Sequence, residues 1–268
     1  MPSLVTAAAG AWERDPRSWR VTAAVEVREL ALEQERTGES TLSLLNGFEL
    51  RCDGQRVNLP MSAQRLLAFV ALQERPVLRV YVAGSLWTDA SEERAAASLR
   101  SSLWRLHRPG VRLVEALGAQ LRLAPRVHVD IRQSLGLAQQ LLRGTVDDET
   151  LTTADLELEG ELLPDWYDDW VIFERERFRQ LALHALEALA ERQLLAGRLR
   201  QALASALAAV KVEPLRESAH RIVIRVHLAE GNGGEALRQY DLCSCLLRDR
   251  LGLEPSEQLE ALAASLTH

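Results

Sequence analysis

The chain has 268 residues, 47% hydrophobic and 26% charged, with a formal net charge of −6; this exceeds one domain of roughly 100–200 residues and predicts two. Near-average composition excludes a wholly disordered chain, and the absence of any apolar run of about 18 residues excludes a helical membrane protein, so no membrane partner is expected. Three cysteines, Cys52, Cys243 and Cys245, are an odd number that suits no disulfide framework and no metal spacing, and no basic leader precedes the first apolar patch; a cytoplasmic protein is predicted, with neither metal nor cofactor.

Residues 1–40 mix Pro, Trp12, Trp19 and both charge signs, and read as an N-terminal extension, flexible or loosely docked. A helix over 21–36 is compatible with the apolar Val25, Leu30 and Leu32. From Thr41 the pattern changes to short β-prone runs, 41–45, 48–52 and 55–59, with Asp53-Gly54 between the last two. Both turn residues tolerate the positive φ of a type I′ turn, so a hairpin is predicted there.

Three helical patterns follow, over 62–73, 80–87 and 92–107, the last preceded by Asp89 and Ser91 as candidate N-caps. Pro109-Gly110 ends the third. Two further β-type runs, VRLVEAL and QLRLA, join through Gly118-Ala119 as a second hairpin. Beyond them the chain is helical. Gly197 and Gly231 lie 34 residues apart, as do Ala202 and Ala236, Leu203 and Leu237, and Ala206 and Tyr240; this is the tetratricopeptide (TPR) period. Each repeat is expected to end one helix on Gly, to admit the next through the small Ala, and to fill the groove with the Leu. Pro214 and Pro255 are expected in first turns of further helices. Such arrays more often bind polypeptides than perform chemistry.

Charge is divided unevenly. Residues 41–130 hold 12 Arg against 8 acidic residues, net +4, whereas 151–268 hold 13 basic against 20 acidic, net −7. The first segment suits an approach to phosphates and the second does not.

Sheet, three helices and closing hairpin are the order of a winged helix with a leading sheet. The segment from SAQRLLAFVAL through SLW to AAASLRSSLWRLH resembles the OmpR-type winged helix of the Streptomyces antibiotic regulatory protein (SARP) family, which carries similar Gln-Arg-x-Leu-Leu, Leu-Trp and Leu-Arg-x-x-Leu-x-x-Leu motifs. The stretch DWYDDWVIFERERFRQLALHALEALAERQLLAG, with VEPLRESAHR and LGLEPSEQLEAL, resembles that family's bacterial transcriptional activator domain, a TPR-like bundle. Two positions depart from the family pattern: Leu78 stands where a Ser or Thr cap is usual, and Gln120 where an aromatic residue is usual.

The fold expected is thus mainly α with small β elements: the extension over 1–40, an OmpR-type winged helix over 41–130, and the TPR-like domain over 131–268. The resemblance implies a transcription activator of a secondary-metabolite gene cluster, binding double-stranded promoter DNA as two protomers on repeated sites and recruiting RNA polymerase. The alternative is a TPR-like interaction scaffold with a degenerate winged helix that no longer binds DNA.

In the third helix Leu99, Leu103 and Leu106 recur at i, i+4 and i+7 and define the buried face. The outward face then carries Arg94, Ala97, Ser101, Trp104, Arg105 and Arg108, with Ser98 and Arg100 on its flanks. Small residues let a helix lie deep in the major groove while Arg reaches phosphates or guanine edges. Trp104 is expected to pack against the wing, with sugar contact or partial burial as the alternatives; Trp87 is expected in the core. Arg112 and Arg122 of the second hairpin are candidates for phosphate contact, which adds affinity without reading sequence.

No phosphate-cradling Gly-rich loop and no nucleophile beside a base is present, so no enzyme is expected. Asp165, Asp168 and Asp169 read as charge complementing the dipole of the long helix that follows. His220, His227, Cys243 and Cys245 have no zinc-site spacing and read as solvated or core residues.

Overall fold

The computed structural model describes residues 39–107, 111–146, 158 and 160–264. The helix expected over 21–36 and the turn at Pro109-Gly110 lie outside them.

The described chain opens on β1 (Ser40–Ser43), β2 (Glu49–Cys52) and β3 (Gln55–Arg56). Asp53 and Gly54 adopt φ values of 51° and 75°, the left-handed pair that the hairpin requires. Helices α1 (Met61–Ala71), α2 (Arg79–Leu86) and α3 (Glu92–Leu106) follow, within about two residues of expectation. Between α1 and α2 lies a short strand that the sequence did not announce, β4 (Val77–Leu78), which joins β5 (Val114–Leu117) and β6 (Gln120–Leu123) in a sheet of order β4-β6-β5. This is the winged-helix arrangement, with the hairpin β5-β6 as the wing. Strand β7 (Val127–Val129) then returns parallel to β1 and completes a second sheet, β3-β2-β1-β7.

Helix α4 (Asp130–Arg143) starts directly from β7. The Asp130 carboxylate accepts backbone N–H groups of Leu44 at 3.0 Å, Leu45 at 3.1 Å and Ile131 at 2.7 Å. One side chain therefore satisfies the end of β1 and the first turn of α4, groups that neither element pairs internally. The bundle continues with α5 (Asp169–Leu195), α6 (Leu199–Val212), α7 (Glu217–Ala229), α8 (Gly233–Leu251) and α9 (Glu257–Ala264). Gly197 and Gly231 take φ of 71° and 77° just after α5 and α7, so the repeat period falls on two equivalent corners.

Other details of the repeat differ from expectation. Ala202 and Ala236 are both fully buried, but Leu237 is exposed where Leu203 is half-buried. Pro214 and Pro255 precede their helices by three and two residues and lie in the connecting turns, not in first turns.

A single core joins the two halves. The cluster containing Leu42, Leu50, Leu67, Val82, Leu99 and Leu121 of the winged helix also contains Leu162, Leu163, Trp166, Val171 and Phe178 from the start of the bundle. The segment leading into α5 pairs with the extension of β1: Asn46 N–H donates to Glu161 O at 2.8 Å, and Leu163 N–H to Leu44 O at 2.9 Å. Gly160, at φ 129°, lies so close that a Cβ would meet Leu45 Cβ at 3.3 Å and the Asn46 amide at 3.2 Å. Side-chain volume there would push the segment off the sheet.

Candidate nucleic-acid interface

Helix α3 follows Ser91, whose hydroxyl makes no capping hydrogen bond. The buried stripe is Ala95, Leu99, Ser102 and Leu106, with Leu103 only half-buried. The true face thus steps i, i+4, i+7, i+11, and Leu103 sits at its margin. Arg94, Ala97, Arg100, Ser101, Trp104 and Arg105 are exposed, and Ser98 is half-buried beside them. Arg108 lies outside the described residues.

Arg94 and Arg100 have no hydrogen bond or ion pair among the described residues. Arg105 donates to Ser62 Oγ at 3.0 Å, a contact that fixes its stem against α1 and leaves other N–H groups of the guanidinium open. Trp104 departs from expectation: it is 78% exposed and packs against no wing. The wing cannot cover it because Trp104 stands on the face opposite the stripe that meets the core. Trp87, by contrast, is half-buried against the core.

On the wing, Arg112 is exposed and free of partners among the described residues. Arg122 is exposed too, but its Nε lies 2.7 Å from Glu115 Oε2 across the β5-β6 register. A phosphate contact by Arg122 must share it with that carboxylate. Leu78, at the start of α2, offers no side-chain cap; the turn is held instead by Arg79 N–H donating to Ala119 O at 2.9 Å, which ties α2 to the wing tip.

Sequence reasoning missed the seam between winged helix and bundle. Arg65 of α1 donates to Leu86 O at 2.9 Å and pairs closely with Asp168. Asp168 stands at the N-cap of α5 without capping it, so its main partner is this arginine; Asp169 alone of the acidic trio occupies the first turn. Arg132 of α4 donates to Ala71 O and Gln73 O, both at 2.8 Å, closing the C-terminus of α1. Arg175 of α5 donates to the carbonyls of Leu162 and Trp166, each at 2.8 Å, and to that of Leu163. Around these lie Phe48 stacked on Trp166 at 5.9 Å and Trp170 edge-on to Phe69 at 5.2 Å. Arg65 stands in the Gln64-Arg65-Leu66-Leu67 stretch of α1, but its partner lies 103 residues away.

In the bundle, His220 is fully buried. Its Nε2 faces Pro214 O at 2.9 Å, an acceptor only, and its Nδ1 faces the Gln239 amide at 2.7 Å. Neutral imidazole with the proton on Nε2 satisfies both. Burial pushes its pKa below the ordinary value, against the Pro214 carbonyl and Glu217, which raise it. Burial opposes ionisation of Glu187 too, but hydrogen bonds from Arg216 at 2.7 Å and from Ser218 outweigh it and hold that carboxyl below its usual range. Burial also pushes the Cys243 thiol up to about 11, and exposed Cys245 donates to Asp249 Oδ2 at 3.2 Å. His227 lies 3.4 Å from Glu230. Among the described residues no group of three or more His, Cys, Asp or Glu is placed to hold a metal ion, and no helix is long and apolar enough to cross a membrane.

A winged helix with exposed arginines on its outer face is thus joined to a TPR-like helical bundle. Residues 139–267 match the family model of the bacterial transcriptional activator domain. The chain is 27% identical over 241 residues to the regulatory protein AfsR of Streptomyces coelicolor, an alignment covering 86% of this chain and 24% of that protein. Its fold is similar to that of Mycobacterium tuberculosis EmbR, solved in complex with a low affinity phosphopeptide, with a TM-score of 0.68 and 22% identity over 86% of this chain and 65% of that one. The chain thus spans about a quarter of the length of AfsR and somewhat under two thirds of EmbR. The match to the activator-domain model and the likeness to AfsR support the resemblance to SARP-family regulators.

Proposed function

We propose that this chain is a sequence-specific transcription activator whose winged helix, residues 41–130, reads promoter DNA through the outer face of α3. The observation that carries this reading is that face itself. Arg94 and Arg100 have no partner among the described residues, Ser98, Ser101 and Arg105 lie with them, and the small Ala97 leaves room for a groove wall. Arg to guanine and Ser to either base or phosphate are the contacts such a surface makes. Arg108 belongs to the same set by its sequence position. Arg112 adds a backbone contact from the wing, and Arg122 a weaker one shared with Glu115.

Residues 131–268 form the activator part, and its net negative charge keeps it off the phosphates. By likeness to the family it contacts RNA polymerase, two protomers sit on directly repeated sites, and the genes controlled form a secondary-metabolite cluster in the cytoplasm of the producing cell. No catalytic step and no cofactor enters this account; residues 1–40 are an extension to the reader.

An electrophoretic shift on promoter fragments from the gene's own neighbourhood, repeated across a salt series, tests it. Retarded complexes whose affinity falls steeply with salt are expected, because phosphate neutralisation releases counterions. No complex at low salt rejects DNA binding and leaves the scaffold reading, which the unassigned surfaces of the bundle would then have to explain.

A further inference from the structure

Trp104 is the largest apolar group on the outer face of α3, at 78% exposure. The other described tryptophans are buried or half-buried against the shared core: Trp166 and Trp170 make ring contacts there, and Trp87 packs on it. None of the ring contacts among the described residues involves Trp104. Leaving an indole in water forfeits burial of a large apolar area. Here the ring also stands among polar and cationic neighbours: Arg100 lies one helical turn before it, Ser101 three residues before it, and Arg105 follows it.

Charge along the helix decides which end approaches DNA. Glu92 and Glu93 occupy the first turn and Arg105 the last. The two carboxylates disfavour phosphates at the very start of the helix, so the stretch from Arg94 to Arg105 makes the approach, with Trp104 in its C-terminal half. In the major groove the base edges are polar with one exception, the C5-methyl of thymine. An exposed indole flanked by arginines is complementary to that combination: phosphates on both sides and a methyl group between.

Resting on the DNA-binding reading above, we propose that Trp104 contacts a thymine methyl in the major groove and makes one position of each half-site specific for thymine. Arg100 and Arg105 hold the flanking backbone, and Trp104 reads the base.

The test uses the full chain. A random-sequence duplex pool is selected with the wild-type protein, and the selected duplex is titrated by fluorescence anisotropy with wild type and with Trp104→Ala. Both proteins are also titrated against duplexes in which single thymines are replaced by deoxyuridine, which removes only the methyl. Wild type is expected to lose about tenfold in affinity at one thymine, within the range of a single base contact. Trp104→Ala is expected to lose about tenfold on the unmodified duplex, to be indifferent to that methyl, and to melt at the wild-type temperature. A selected site bound equally by both proteins overturns the proposal, as does a variant that weakens binding yet senses the same methyl. Failure of the wild type to select any duplex instead removes the DNA-binding reading itself, so the two failures are told apart. The deoxyuridine series on wild type needs no variant to fold.

Discussion

The outer face of α3 and the seam between winged helix and bundle use the same residue type for opposite ends. On α3, Arg94 and Arg100 stand in solvent without partners among the described residues. In the seam, Arg65, Arg132 and Arg175 direct their N–H groups to carbonyls at helix ends and loops, and Arg65 adds the Asp168 carboxylate. A guanidinium offers five donors in a fixed fork. Where backbone carbonyls engage that fork it becomes a structural clamp; where none is near, it is free to meet an anion from outside. Arginine content therefore says little about nucleic acid until each group's partners are known.

The largest effect is expected from Trp166→Ala, which removes an indole only 7% exposed and stacked on Phe48. A loss of about 3–5 kcal/mol is expected, read by urea unfolding. Because the core is continuous across the seam, probes in the winged helix and in the bundle should unfold together; separate transitions would show the halves to be independent. Arg175→Ala comes next. It strips partners from three carbonyls in the segment that pairs with β1, and about 2–3 kcal/mol is expected, moderated by water reaching the loop.

A milder effect is expected from pH. His220 has a lowered pKa in the folded chain, so between its ordinary value of 6.5 and that lowered value the unfolded chain binds more protons than the folded one. The stability contributed by neutral His220 is complete above about 6.5 and declines as pH falls below it. Urea midpoints for wild type and His220→Gln across this range check the claim: the variant should lose that portion of the slope. The smallest effect on folding is expected from Arg100→Ala, within about 0.5 kcal/mol because its guanidinium holds no hydrogen bond or ion pair among the described residues.

Local signals were legible and long-range ones were not. Asp53-Gly54 announces its hairpin through backbone preference alone, and the three helices of the winged helix follow from periodicity and breakers. The 34-residue period marks the corners at Gly197 and Gly231 because each corner needs the same left-handed residue. What could not be read is what depends on partners far along the chain. Asp130 finds two of its three donors some 85 residues away, and β4 is two residues long, too short for any alternation. The candidate site shows the same division. Periodicity placed Arg94, Ser101 and Arg105 outward and Arg100 on the flank, but the lack of packing around Trp104 and the engagement of Arg122 by Glu115 depend on what stands opposite, which one helix or strand does not encode.

The central claim is that free arginines on α3, and not those of the seam, bind DNA. Anisotropy titration of a duplex selected by the wild-type chain, with Arg94→Ala/Arg100→Ala beside wild type over a salt series, tests it most directly. The account predicts weaker binding, a salt slope shallower by about 0.9 for each phosphate no longer neutralised, and an unchanged melting temperature. Wild-type affinity and slope in that double variant would contradict it.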